Sequence, residues 1–174
     1  FPLRSIFADA WKLTDLEKLP SKPFTILVFG GSQGAQRLNR TFLGVFATLS
    51  AEERASIAVI HIVGCDDLNR IRQGYERIGI QAHVFNFSSE IFEHYRRADL
   101  IVSRAGAGTI FELAAFGRAA ILVPYPHAYA HQRINAQYLA QEGAARVIED
   151  EELDADSLRK FILELRYDGA KRSK

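Results

Sequence analysis

Six times along the chain a short apolar run gives way, within a few residues, to side chains recurring at helical spacing. The runs are 25–29, 58–63, 82–85, 100–102, 119–123 and 145–148. Each is too short for a stable helix and is ended by a glycine, proline or polar residue. After the first come Ala35, Leu38, Phe42, Val45, Phe46 and Leu49, and helical patterns follow at 67–78, 90–97, 107–116, 132–141 and 154–166. Near-continuous apolar runs suit strands buried on both faces, the pattern of a parallel sheet covered by helices. The alternation therefore predicts an α/β fold, a Rossmann-like doubly wound parallel sheet of about six strands with short connections. In such sheets ligands bind beyond the carboxyl ends of the strands. That singles out the loops after Phe29, Phe85, Val102 and Val123.

Those loops carry the unusual residues. The first is Gly30-Gly31-Ser32-Gln33-Gly34-Ala35. Its glycines let the backbone turn sharply and approach a ligand with no Cβ between them. The helix beyond offers free N–H groups and a positive dipole end to an anion, and Ser32 adds a hydroxyl. The loop is neither a Walker A sequence nor G-x-G-x-x-G, and a tight strand-to-helix turn is its plainer reading. The second constellation is Ser103-Arg104-Ala105-Gly106-Ala107-Gly108-Thr109-Ile110-Phe111-Glu112. Ala107, Gly108 and Thr109 open a helix in the same way, and Glu112 falls about one turn in. A carboxylate there can accept two hydrogen bonds from the adjacent hydroxyls of a ribose. Alternatively it only complements the helix dipole.

Two further loops are weaker signals. Pro124-Tyr125-Pro126-His127 is a rigid segment at a strand end. His131 and Gln132 follow near a helix start, where polar side chains can meet sugar hydroxyls. Phe85-Asn86-Phe87-Ser88 puts aromatics at a strand mouth, where one can pack on a base, although aromatics there are more often core. Asp154-Ala155-Asp156 resembles an Asp-x-Asp metal motif but reads better as a helix N-cap with a first-turn acid. Asp66-Asp67 is a turn and cap candidate, and Glu149 to Glu152 reads as a solvated connection. No His/Cys spacing suggests zinc.

Composition narrows the class. With 174 residues, 48% of them hydrophobic, the chain makes one domain with a real core. A net charge of +1 gives no basic excess for nucleic acid. The single cysteine, Cys65, excludes an internal disulfide framework and fits a reducing compartment. No run approaches the ~18 apolar residues of a membrane span. Methionine is absent, and the chain stops abruptly after a helical pattern, so it is expected to be a piece of something longer.

Together these residues resemble the C-terminal half of the MurG family of N-acetylglucosaminyltransferases. The resemblance spans nearly the whole chain. It runs from Phe1-Pro2-Leu3-Arg4, similar to the family's Asn-Pro-Val-Arg hinge, through the Gly-Gly-Ser-Gln-Gly-Ala loop and Arg104-x-Gly106-Ala107-x-Thr109-x-x-Glu112. It continues through Pro124-x-Pro126-His127, His131-Gln132-x-x-Asn135-Ala136 and Gly143-Ala144-Ala145. Each motif is weak alone, but their order and spacing are specific.

The resemblance implies one half of a GT-B glycosyltransferase. Residues 1–24 are then an interdomain entry segment and 25–166 the donor nucleotide-sugar-binding domain. Residues 167–174 are a basic tail, cut before a helix returning to an N-terminal domain. It implies UDP-N-acetylglucosamine as donor and a lipid-linked muramyl-pentapeptide of peptidoglycan synthesis as acceptor, with no cofactor or metal. Gly31, Ser32, Gln33 and Gly34, with Ala107, Gly108 and Thr109, would meet the phosphates. Glu112 would hold the ribose, and Gln132 with His131 the sugar. The Ser88 backbone would read uracil, with Phe87 and Arg4 beside it. Gly108 and Ser88 depart from larger apolar residues of some relatives, which puts side-chain packing around the nucleotide in doubt there.

The catalytic base, the acceptor site and the membrane contact would belong to the N-terminal domain. The whole protein would be cytoplasmic, peripheral on the inner face of the bacterial membrane. The isolated chain would bind donor without transferring it. Rival readings are a UDP-N-acetylglucosamine 2-epimerase, a diacylglycerol galactosyltransferase and a non-catalytic nucleotide-binding subunit. A Rossmann dehydrogenase has only Asp66 in its favour.

Overall fold

Strand side chains point alternately to the two faces of a sheet, and here both faces are apolar. In the computed structural model, which describes residues 23–31, 35–65, 68–128 and 131–167, six strands form one all-parallel sheet. They are β1 (Phe24–Phe29), β2 (Ile57–Ile62), β3 (Gln81–Phe85), β4 (Leu100–Ser103), β5 (Ala119–Leu122) and β6 (Ala145–Val147). Their order across the sheet is β3-β2-β1-β4-β5-β6. Ile26 and Val28 enter one core, with Val59, Val102 and Ile121, while Leu27 enters the other with Ile60, Ile101 and Leu122. Every β4 and β5 residue is buried, as expected of central strands in a two-sided sheet.

The helices divide between the faces. Helices α1 (Gln36–Ala47), α3 (Leu68–Ile78) and α7 (Ala155–Tyr167) cover the first core, through residues such as Phe42, Tyr75 and Ile162. Helices α4 (Ile91–Arg97), α5 (Ala107–Phe116) and α6 (His131–Gln141) cover the second, through Tyr95, Leu113 and Leu139. The chain thus winds outward from β1 on one face and outward from β4 on the other. The strand order reverses between β1 and β4, and there the first loops of the two halves diverge to opposite faces and leave a crevice.

The predicted boundaries hold to within a residue or two, and the α5 bounds coincide. Glycines stop helices as expected: Gly117 closes α5 in the left-handed region at φ 56°, and Gly143 follows α6 at φ 74°. Asp154 caps α7, its Oδ1 accepting from the Asp156 and Ser157 amides at 2.9 Å each. The Asp66-Asp67 candidate lies outside the described residues.

Two elements depart from the sequence reading. A short helix, α2 (Ala51–Ala55), follows α1 with none of its residues buried, so no apolar periodicity announced it. Its start is a capping box, the Ser50 hydroxyl accepting from the Glu53 amide and the Glu53 carboxylate accepting from the Ser50 amide. The acidic segment expected to be a solvated connection instead contains a 3-10 turn, Asp150–Glu152. Asp150 forms an ion pair with Arg104 there, and both side chains are largely shielded from solvent.

One buried polar network positions α1. The Tyr75 hydroxyl lies 2.8 Å from His61 Nδ1, and His61 Nε2 lies 3.0 Å from Asn39 Oδ1. The Asn39 amide group then donates to the Val63 carbonyl at 3.1 Å. Because that donor fixes the Asn39 orientation, His61 carries its proton on Nε2 and accepts from Tyr75. Burial pushes the Tyr75 hydroxyl well above its ordinary range, so it remains a donor. The network ties the second turn of α1 to the carboxyl end of β2.

Candidate functional site

The switch point brings the two glycine-rich turns side by side. β1 and β4 are neighbours, with Phe29 in register with Ser103, so Gly30 and Arg104 leave adjacent strand ends. Ser32, Gln33 and Gly34 lie outside the described residues, as does Arg4. Gly31 is described, and its φ of 91° lies in the left-handed region that glycine accepts without strain. Gly30 has a different role. A Cβ there would lie 2.7 Å from the Ala35 amide nitrogen, so the turn closes back on itself only because Gly30 has no side chain. Sequence reasoning gave the loop glycines to the ligand and missed this internal contact, which joins residues five apart.

The second turn is different again. A Cβ at Gly108 would meet nothing within 4 Å, and one at Gly106 would meet only Thr109 Oγ1 at 3.9 Å. The protein's own packing does not require glycine at either place. Gly106 is the N-cap of α5 and Ala35 the N-cap of α1, and neither helix has a side-chain cap or an acidic residue in its first turn. By contrast, α2, at the opposite end of the sheet, and α7, which packs beside α1, are capped by their own side chains. Uncapped first-turn N–H groups need a partner from elsewhere. The two helix starts at the switch point thus have donors facing outward and a favourable dipole for an anion.

Around this centre the other loops are braced. Glu112 is 6% exposed on α5, beside the core residue Leu113. Gln132, in the first turn of α6, accepts from two backbone amides through one oxygen, Ala105 at 3.2 Å and Tyr125 at 3.0 Å. Asn135, one turn along, donates to the Ala105 carbonyl at 3.0 Å. Ala105 is therefore held by α6 through both its N–H and its carbonyl, and the Gln132 side chain keeps its Nε2 donors for a ligand. His131 is exposed at the start of α6, and exposed His127 packs edge-to-face on Tyr125, with ring centroids 5.4 Å apart.

Arg104 is the residue the sequence reading quoted without assigning it a role. Its Nη1 donates to the carbonyls of Val123 at 3.2 Å and Pro124 at 3.3 Å, and to Asp150. Its guanidinium lies 5.4 Å from the Tyr125 ring centroid. The available signal was an arginine directly after an apolar strand, a position that can only be buried if it is paired.

The residues expected beside the base follow β3, two strands away from β1. Phe87 is 79% exposed beyond the end of β3, whereas Phe85 stacks on His94, with centroids 5.4 Å apart. Ser88 Oγ accepts from the Glu90 amide at 3.1 Å and lies 2.8 Å from His94 Nε2. His94 is buried, its Nδ1 has no partner among the described residues, and burial pushes its pKa below the usual histidine range. A base with a depressed folded-state pKa binds fewer protons folded than unfolded. Stability is therefore fully present above about pH 6.5 and falls as pH drops through that value. Thermal unfolding followed from pH 7.5 to pH 5 is expected to show this loss, and His94→Gln to remove part of the slope. One proton contributes at most about 1.4 kcal/mol per pH unit. A pH dependence unchanged in the variant would refute the assignment.

Among the described residues, no three His, Cys, Asp or Glu side chains converge to hold a metal ion. No helix among them is long and apolar enough to cross a membrane.

A six-stranded doubly wound sheet with paired glycine-rich turns at its switch point is the architecture of a GT-B glycosyltransferase half. The chain belongs to glycosyltransferase family 28: the model of that family's C-terminal domain matches residues 25–174. Among similar proteins is the UDP-N-acetylglucosamine–N-acetylmuramyl-(pentapeptide) pyrophosphoryl-undecaprenol N-acetylglucosamine transferase of Syntrophotalea carbinolica, 45% identical over 80% of this chain and 39% of the relative. The Geobacter metallireducens protein of the same name is 39% identical over 98% of this chain and 47% of the relative. The chain thus spans less than half the length of these relatives. The crystal structure of Acinetobacter baumannii MurG aligns with a TM-score of 0.77 and 31% identity, covering 85% of this chain and 44% of that one.

Proposed function

We propose that this chain is the donor-binding half of an N-acetylglucosaminyltransferase of peptidoglycan synthesis, and that it holds UDP-N-acetylglucosamine along the carboxyl edge of its sheet. The observation that carries the reading is the pair of uncapped, acid-free helix starts, α1 and α5, on the adjacent strands β1 and β4. The order of loops along the edge supports it. Phe87 and Ser88 follow β3, the glycine turns follow β1 and β4, and Tyr125 to Gln132 follow β5. Read in that order, an aromatic base-side loop, an anion site and a polar sugar-side loop match uracil, diphosphate and hexose. The span is four strand spacings, roughly 19 Å.

The chemistry follows from the leaving group. Transfer breaks the bond between the anomeric carbon and the diphosphate, and negative charge develops on UDP. Helix N-termini aimed at the phosphates stabilise that charge with dipoles already in place. A general base must take the proton of the acceptor hydroxyl from the opposite face of the sugar. That base, the lipid-linked muramyl-pentapeptide site and contact with the inner membrane face are assigned to the part of the protein preceding this domain. The chain alone then binds donor without transferring it.

Calorimetric titration with UDP-N-acetylglucosamine, repeated in competition with UDP-galactose, tests the reading. Saturable binding that prefers the N-acetylglucosamine donor, with no transfer to lipid acceptor and no manno epimer formed, is expected. Absence of binding, or preference for UDP-galactose, overturns the proposed donor. Transfer by the isolated chain overturns the location of the base.

A further inference from the structure

Asp150 connects the two halves of the anion site. It lies in the 3-10 turn after β6, 46 residues from Arg104 and outside both glycine-rich turns. Its Oδ1 accepts from Arg104, the residue that opens the β4–α5 turn and also holds the Val123 and Pro124 carbonyls. Its Oδ2 lies 4.0 Å from Nε of Arg37, the second residue of α1. Arg37 Nη2 also donates to the carbonyls of Glu151 at 3.1 Å, within the same turn, and Leu153 at 3.3 Å, directly after it. The Asp150 and Arg104 side chains are only 14% and 10% exposed, whereas that of Arg37 is 51% exposed. The carboxylate thus stands between two cations, one in the first turn of α1 and one at the head of the turn that leads into α5. Without it, two like charges would face each other across the junction, and the buried guanidinium of Arg104 would lose its counter-charge.

We propose that Asp150 is a positioning residue for the diphosphate site: by holding Arg104 with one carboxylate oxygen and attracting Arg37 with the other, it fixes the spacing of the two helix starts that face the phosphates. This rests on the reading of those helix starts as the phosphate site. Asp150 touches no ligand in this account and acts through the two arginines.

The sign of the effect makes it testable. Removing a negative charge close to a bound diphosphate strengthens binding if only the field matters. Removing a positioning contact weakens it. The experiment titrates the chain with UDP and with uridine, before and after Asp150→Asn. The expected result is UDP affinity reduced about tenfold, equivalent to ~1.4 kcal/mol, with uridine affinity unchanged to within about twofold. Tighter or unchanged UDP binding overturns the proposal, and so does an equal loss for UDP and uridine, which marks a general structural role. If Asp150→Asn does not fold, Arg37→Lys replaces it. That variant keeps the charge but lacks the fork that reaches two carbonyls and a carboxylate together, and the same loss confined to UDP is expected. Failure of the unsubstituted chain to bind UDP would take down the phosphate-site reading itself. Binding by the unsubstituted chain without the UDP-specific loss takes down only the role of Asp150.

Discussion

Glu112→Ala is expected to weaken binding of UDP-N-acetylglucosamine roughly 10- to 150-fold, the ~1.5–3 kcal/mol of a hydrogen bond to a charged group. Glu112 is buried on α5, about one turn beyond the helix start proposed for the phosphates. The carboxylate is thus on the same helix as the proposed phosphate contacts, and in the donor the ribose adjoins the phosphates. A buried carboxylate also contributes to the fold, so loss of affinity alone is ambiguous. The discriminating ligand is UDP lacking the 2′ and 3′ hydroxyls. The unsubstituted chain is expected to prefer UDP over this analogue, and Glu112→Ala to bind both equally. If the variant still discriminates between them, or if its affinity for UDP-N-acetylglucosamine is unchanged, Glu112 does not hold the ribose.

Gly30→Ala is expected to have the larger effect, abolishing measurable donor binding and lowering stability by about 1–3 kcal/mol, as overpacking does. The added Cβ meets the backbone amide of Ala35 at 2.7 Å, and backbone cannot swing aside as the end of a flexible side chain can. The turn must open, and α1 begins at the next residue, Gln36, so its amide groups move with it. Gly31→Ala is the internal comparison. A Cβ at Gly31 meets nothing within 4 Å, but φ is 91°, so that variant carries backbone strain of roughly 1–2 kcal/mol without a clash. Calorimetry and thermal unfolding on both variants check the pair. Gly30→Ala keeping both its stability and its donor affinity would show that the predicted clash does not occur.

The elements were legible because each announces itself within a dozen residues. Val59 and Ile60 in β2, or Leu38 and Phe42 in α1, reveal their state by local periodicity alone. Both turns were legible because glycines between an apolar run and a helical pattern have few other uses. The α2 helix escaped notice because its capping box is its whole signal and it buries nothing. Gln132 was read as a sugar contact, and its side-chain oxygen proves to be occupied by the Ala105 and Tyr125 amides. That arrangement depends on α6 packing beside the β4–α5 turn, 27 residues earlier in the chain for Ala105.

The alternation of apolar runs and helical spacing by itself determined the layered α/β fold, the position of both glycine-rich turns and the buried character of the strands between them. Those are consequences of short-range periodicity and of glycine's missing Cβ, which act wherever the rest of the chain lies. Only the tertiary structure decided that β1 and β4 are neighbours, which brings two separate turns side by side. Only it decided that an acidic segment with every local mark of a solvated loop turns Asp150 inward between Arg37 and Arg104. Strand order and buried ion pairs join residues whose separation along the chain carries no local signal, so they are settled by packing both cores at once.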